Sequence, residues 1–189
     1  MKSQKGSQFE REVAKELSLW WSEGKRDDLF WRTAGSGARA TIRMKKGLRT
    51  VGSYGDIAST SSKGSALIRK VVFSLKKGYS RGNISRRIDI LDIVDKAKKR
   101  KSLIVKFWEE VYHLADRLNK HPILIFRRDR SKGCIAFELD VFRRFLHLKS
   151  VCGFPILFVG TGKEGVSFVV MTTEEFYKHF NPKDFFKVL

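Results

Sequence analysis

Gly55-Asp56-Ile57 and, some twenty residues on, Phe73-Ser74-Leu75-Lys76-Lys77 are the two pieces of sequence from which the architecture follows. The first reads as part of a short alternating strand over 53–59 that bears Asp56. The second follows the apolar run Val71-Val72-Phe73 and closes a strand over 68–76, delivering Lys76 to its end. Two neighbouring strands that splay apart would hold an aspartate and a lysine a few ångströms from each other. One suits a divalent cation, and the other suits a phosphate oxygen or a nucleophile. Two residues before Lys76, on the same side of that strand, stands Ser74, a neutral hydroxyl with no charge to give a metal.

Composition narrows the partners. The 189 residues carry 39 Lys and Arg against 20 Asp and Glu, a formal charge of +19 that a polyanion would relieve. Nucleic acid is the leading partner. A membrane surface would call for a basic amphipathic helix, whereas the cations here are spread over loops as well. With 42% apolar residues and fifteen Phe, the chain has enough apolar side chains for a sizeable core. Cys134 and Cys152 have no ligand-spaced neighbours and read as reduced thiols of a cytoplasmic protein. No apolar stretch approaches the ~20 residues of a membrane span, and residues 1–8 are too polar for a signal peptide.

Working outward, residues 7–22 predict a helix, with Ser7 as N-cap and Glu10 three residues on as its capping-box partner. Phe9, Val13, Leu17 and Trp20 form its apolar stripe. Leu29–Thr33 reads as a strand, residues 39–50 as a basic loop and residues 60–65 as a Ser/Gly turn. A helix is expected from Ser85 to Lys99, and another from Ser102 to Asn119 with Phe107, Val111, Leu114 and Leu118 on one side. Strands follow at 123–126, 135–139, 155–159 and 166–171, with helices at 140–148 and 174–180, the latter capped by Thr172. This order predicts an α/β fold with a central mixed β-sheet flanked by helices. Residues 1–130 would form its core and 131–189 a C-terminal α/β extension packed on it.

The pattern resembles the PD-(D/E)xK nuclease superfamily, and within it small phage and archaeal endonucleases of the Holliday-junction-resolvase type. The residues that carry the resemblance are Gly6-Ser7-Gln8-Phe9-Glu10-Arg11-Glu12-Val13, Trp31-Arg32, Gly35-Ser36-Gly37-Ala38-Arg39, Gly55-Asp56-Ile57, Phe73 to Ser80, and Pro122 to Arg128. It implies a restriction-endonuclease-like sheet and hydrolysis of DNA phosphodiesters with Mg²⁺ (or Mn²⁺). It also implies a homodimer whose two sites cut the two strands of a branched substrate, in the cytoplasm of the host if the chain is phage-encoded. Trp20, Trp21 and Trp108 are compatible with a dimer face.

On this resemblance Asp56 is the indispensable ligand, Lys76 the polarising cation, and Glu10 reaches in from the first helix. Ser74 departs from the pattern, whose residue there is acidic. Some restriction enzymes of the superfamily move the lost carboxylate to the next helix, and Asp89 lies thirteen residues after Lys76, with Asp92 on nearly the same face. Arg32, Ser36, Arg39, Arg43, Lys45, Lys46, Lys77, Tyr79, Arg81, Arg127 and Arg128 are the candidates to meet DNA, mostly its phosphates. Blander roles stand beside these. Glu10 serves a cap, Asp56 a turn, Lys76 and Lys77 a solvated strand end, Ser74 a core face, and Asp89 and Asp92 a helix surface. The rival function is a catalytically inactive nuclease-fold module that binds DNA.

Overall fold

A computed structural model of the chain describes residues 4–33, 54–79, 102–149, 158–161 and 167–189. In order these contain α1 (Gln4–Trp21), β1 (Phe30–Arg32), β2 (Ile57–Ser59), α2 (Ser62–Lys70), β3 (Val71–Lys77), α3 (Leu103–Arg117) and β4 (His121–Arg127). There follow β5 (Cys134–Glu138), α4 (Leu139–Lys149), β6 (Phe158–Thr161), β7 (Ser167–Thr172), α5 (Thr173–His179) and α6 (Pro182–Val188). The predicted helix over 85–99 lies outside the described residues.

The central sheet is mixed, in the order β3-β4-β5-β7-β6. β3 and β4 run parallel, in register from Val71 opposite His121 to Lys77 opposite Arg127. The remaining pairs are antiparallel. Parallel neighbours need a crossover, and α3 lies within it. Because both faces of the sheet are covered, the strands read as continuous apolar runs rather than alternating ones. Alternate residues nevertheless part cleanly. Val71, Phe73, Ile123, Ile125, Ile135, Phe137, Val169 and Met171 join the core under α1, α4, α5 and α6. Val72, Leu124, Phe126, Ala136, Phe168 and Val170 join the core under α3. The strands of residues 134–172 therefore extend the same sheet as β3 and β4. Trp20 of α1 donates its indole N–H to the carbonyl of Phe180, tying the first helix to the last elements.

Several local expectations are corrected. Helix α1 begins at Gln4, so Ser7 lies inside it and no capping box forms there, which frees Glu10 from a cap. The Ser/Gly segment at 60–65 is a helix start. Ser61 is the N-cap of α2 and accepts from Gly64 N–H, Ser65 donates back to the Ser61 carbonyl, and α2 runs on to Lys70. The strand over 68–76 accordingly starts only at Val71. Asp56 precedes β2 instead of lying in it, and β2 pairs with β1 in a separate two-stranded sheet. Trp20 and Trp108 are buried, which removes them from any dimer face, while Trp21 donates to the Lys63 carbonyl at 3.0 Å. Helix α6 was unforeseen, although Asn181 caps it and Pro182 opens it.

Candidate active site

Among the described residues β3 is an edge strand, and the segment before β2 closes that edge. Asp56 N–H donates to the Phe73 carbonyl at 2.8 Å, and the Asp56 carboxylate accepts the Leu75 N–H at 2.6 Å. Thr33 N–H in turn donates to the Asp56 carbonyl at 2.9 Å. Two groups that the sheet leaves unpaired are thus satisfied by one aspartate, which fixes its carboxylate at the rim of β3. The approach requires glycine at 55. Its φ is +86°, and a Cβ there would stand 2.4 Å from the Phe73 carbonyl oxygen.

Glu10 comes to this rim from α1. Its Oε2 lies 3.1 Å from Arg32 Nε, and its side chain is only 15% exposed. The angle of that pair is poor, so among the described residues neither the carboxylate oxygen nor the guanidinium N–H completes a hydrogen bond although both atoms are buried. Burial raises the Glu10 carboxyl above its ordinary range, and the charge of Asp56 raises it further against the opposing pull of Arg32. Burial also raises Asp56, opposed by the Leu75 N–H and then by the Lys76 charge. A buried carboxyl whose charge raises its neighbour Glu10, with a lysine whose field reaches Asp56, makes a concentrated anionic spot in a strongly cationic chain.

Lys76 leaves β3 on the α3 face, as alternation from Val72 through Ser74 requires. Its ammonium lies 3.1 Å from Glu110 Oε2 and 4.4 Å from the centre of the Phe107 ring, both on α3. Ser74 is half-buried on the same face. Neither Phe107 nor Glu110 was foreseen as part of the site. Phe107 had been assigned to the core, and Glu110 carries no local signal beyond its place on α3. Asp89 and Asp92 lie outside the described residues. Among the described residues no group of three or more His, Cys, Asp or Glu side chains gathers at metal-binding spacing.

The candidate DNA contacts are divided between two faces. Lys77 lies 5.8 Å and Arg127 4.8 Å from the centre of the Phe9 ring, on the α1 side, where Arg127 also pairs with Glu12. That pairing lowers the Glu12 carboxyl against the cost of burial. Tyr79 is 42% exposed, sits at φ +60° and meets Phe107 edge-on on the α3 side. Arg128 is exposed, and Arg32 is turned to Glu10. Trp31, beside Arg32, is 56% exposed and was not among the candidates. Ser36, Arg39, Arg43, Lys45, Lys46 and Arg81 lie outside the described residues. None of the described helices is long and apolar enough to cross a membrane.

No curated protein and no solved structure matches the chain. Residues 1–187 do match one family, whose description is "Phage putative PDDEXK endonuclease". The match takes in the sheet-extending C-terminal third that the motifs leave unexplained. With its mixed sheet, flanking helices and Asp56 at the rim of the strand that carries Lys76, the chain belongs to this phage PD-(D/E)xK endonuclease family.

Proposed function

We propose that the protein is a divalent-metal-dependent DNA endonuclease in which Asp56 and Glu10 hold the cation and Lys76 faces the scissile phosphate. The observation that carries this is the pair of carboxylates at the rim of β3. Both are raised by burial, and the buried Oε2 of Glu10, 3.1 Å from Arg32 Nε, completes no hydrogen bond among the described residues. The donor set fits Mg²⁺ or Mn²⁺, since Mg²⁺ keeps several waters and is commonly held by one or two carboxylates together with substrate phosphates. Such a cation supplies an acidified water and offsets charge developing on the phosphate. The chain's own part is positional. The Leu75 N–H fixes one Asp56 oxygen, Arg32 steadies Glu10, and the Lys76 ammonium presents a localised charge at the mouth of the site. Asp89 or Asp92 is the proposed source of a further ligand in place of the acid missing at Ser74.

The net charge of +19 supports a polyanionic substrate, bound mainly through its backbone. Branched DNA, cut on both strands by a homodimer during recombination or repair in the host cytoplasm, is the substrate the resemblance favours. A panel of a four-way junction, linear duplex and supercoiled plasmid, each with Mg²⁺, Mn²⁺ or EDTA, tests both parts. Metal-dependent cutting with the junction preferred is expected, and Asp56→Asn should abolish cutting while leaving binding intact. Ser74 and the Arg32–Glu10 pair support the second reading, a DNA-binding module without catalysis. Tight junction binding with no cutting in either metal would establish that reading instead.

A further inference from the structure

Ser74 shares the α3 face of β3 with Lys76 and carries no charge, so strand β3 itself supplies no anion beside this lysine. Besides Asp56, an anion in direct contact comes from α3. Glu110 Oε2 lies 3.1 Å from the Lys76 ammonium, and Phe107, one turn earlier on the same helix, offers its ring face at 4.4 Å. The two contacts differ in kind, one with a carboxylate and one with a ring quadrupole, and together they restrict an otherwise flexible four-carbon stem. Phe107 is itself held, being 6% exposed and braced edge-on by Tyr79 at 5.1 Å. Glu110 is different. Its side chain is 61% exposed, so no packing demand explains its position. It also joins no cation-binding group with other acids among the described residues.

We infer that Glu110 is the positioning residue of Lys76, supplying from helix α3 the negative partner that Ser74 does not supply from the strand. This rests on the reading of Lys76 as part of a nuclease site. Its sign is distinctive. Glu110 is an anion facing a polyanionic substrate, so losing it should not weaken DNA binding. The loss should instead free Lys76 and lower turnover.

Cleavage kinetics on the preferred DNA, run beside acetylation of Lys76 by a small amine-reactive ester and read by mass spectrometry, test this on the full chain. Glu110→Ala is expected to lower kcat about tenfold with KM unchanged or lower, to raise Lys76 acetylation, and to leave the melting temperature unaltered. Glu110→Gln keeps an oxygen that can accept from the ammonium and should restore kcat to within about threefold of wild type. A wild-type kcat in Glu110→Ala would overturn the inference, as would a lowered kcat with Lys76 acetylation unchanged or with KM raised in proportion. A wild-type protein that cuts nothing would instead remove the nuclease reading, and the inference with it, whatever the acetylation shows.

Discussion

Asp56 does two jobs at once, closing the edge of β3 and presenting a charge beside Glu10, and the two respond differently to substitution. Asn at 56 still accepts the Leu75 N–H but cannot ionise. A carboxyl raised on folding contributes stability that is fully present below its ordinary value, 3.8 for Asp56, and lost as the pH rises through the raised value. At neutral pH without metal, Asp56→Asn should therefore stabilise the protein by about 1 kcal/mol, or roughly 3 °C in melting temperature, while abolishing cleavage. That gain should shrink as the pH falls towards 3.8 and vanish below it, where the wild-type carboxyl is protonated whether folded or not. Thermal melts across pH check it, and an unchanged gain at low pH would refute the burial argument. Gly55 makes the opposite case. Alanine there meets both the φ of +86° and the Phe73 carbonyl, so Gly55→Ala should cost about 3 kcal/mol by denaturant titration and reduce activity by displacing Asp56. That Lys76 would end a strand and that Asp56 would lie close to that strand was legible from their order and spacing together, since neither a glycine-aspartate pair nor a strand-ending lysine is specific alone. The partners of Glu10 and Lys76 were not legible, since Arg32 and Glu110 reach them only through folding.

Helix α3 sets the far wall of the site, and it does so through Trp108 and Val111, buried against Phe168, Leu124 and Val170. The indole N–H of Trp108 is buried without a hydrogen bond. Losing that group costs little, whereas losing the ring leaves a cavity. Trp108→Phe should remain within about 1 kcal/mol of wild type, and Trp108→Ala should lose about 4 kcal/mol, with Lys76 losing its α3 contacts as the helix shifts. Equal losses in the two variants would mean that the N–H has a partner after all. At this scale the strands were legible because both faces of the sheet are covered, which turns β4 and β7 into unbroken apolar runs. Helix α2 was not. Ser61, Ser62, Gly64 and Ser65 read as a turn, yet Ser61 caps a helix whose Gly64 sits against β1, where a Cβ would come within 2.6 Å of the Leu29 carbonyl. The glycine that looked like a breaker is there for close approach. Ser7 erred in the other direction, since a good capping sequence was overrun by three earlier residues that continue the helix.

For the whole molecule, the surplus of 19 positive charges predicts DNA binding that weakens steeply with salt. If 6–10 phosphates are contacted, affinity should fall roughly 10³–10⁵-fold between 50 and 200 mM salt, and fluorescence anisotropy over that range measures the slope. A flat profile would mean that the charge is not spent on the backbone. The mixed sheet was foreseeable from element order. Its extension through β5, β7 and β6, locked to α1 at Trp20, was not, because the contacts run between residues some 160 positions apart. One electrostatic spot in this cationic body, where Glu10 lies beside Asp56 at the rim of β3, carries the proposed chemistry. A crystal soaked in Mn²⁺ tests that spot directly by anomalous scattering. A peak about 2.1 Å from carboxylate oxygens of both Asp56 and Glu10 is expected. A saturating soak that puts manganese elsewhere, or nowhere, would contradict it.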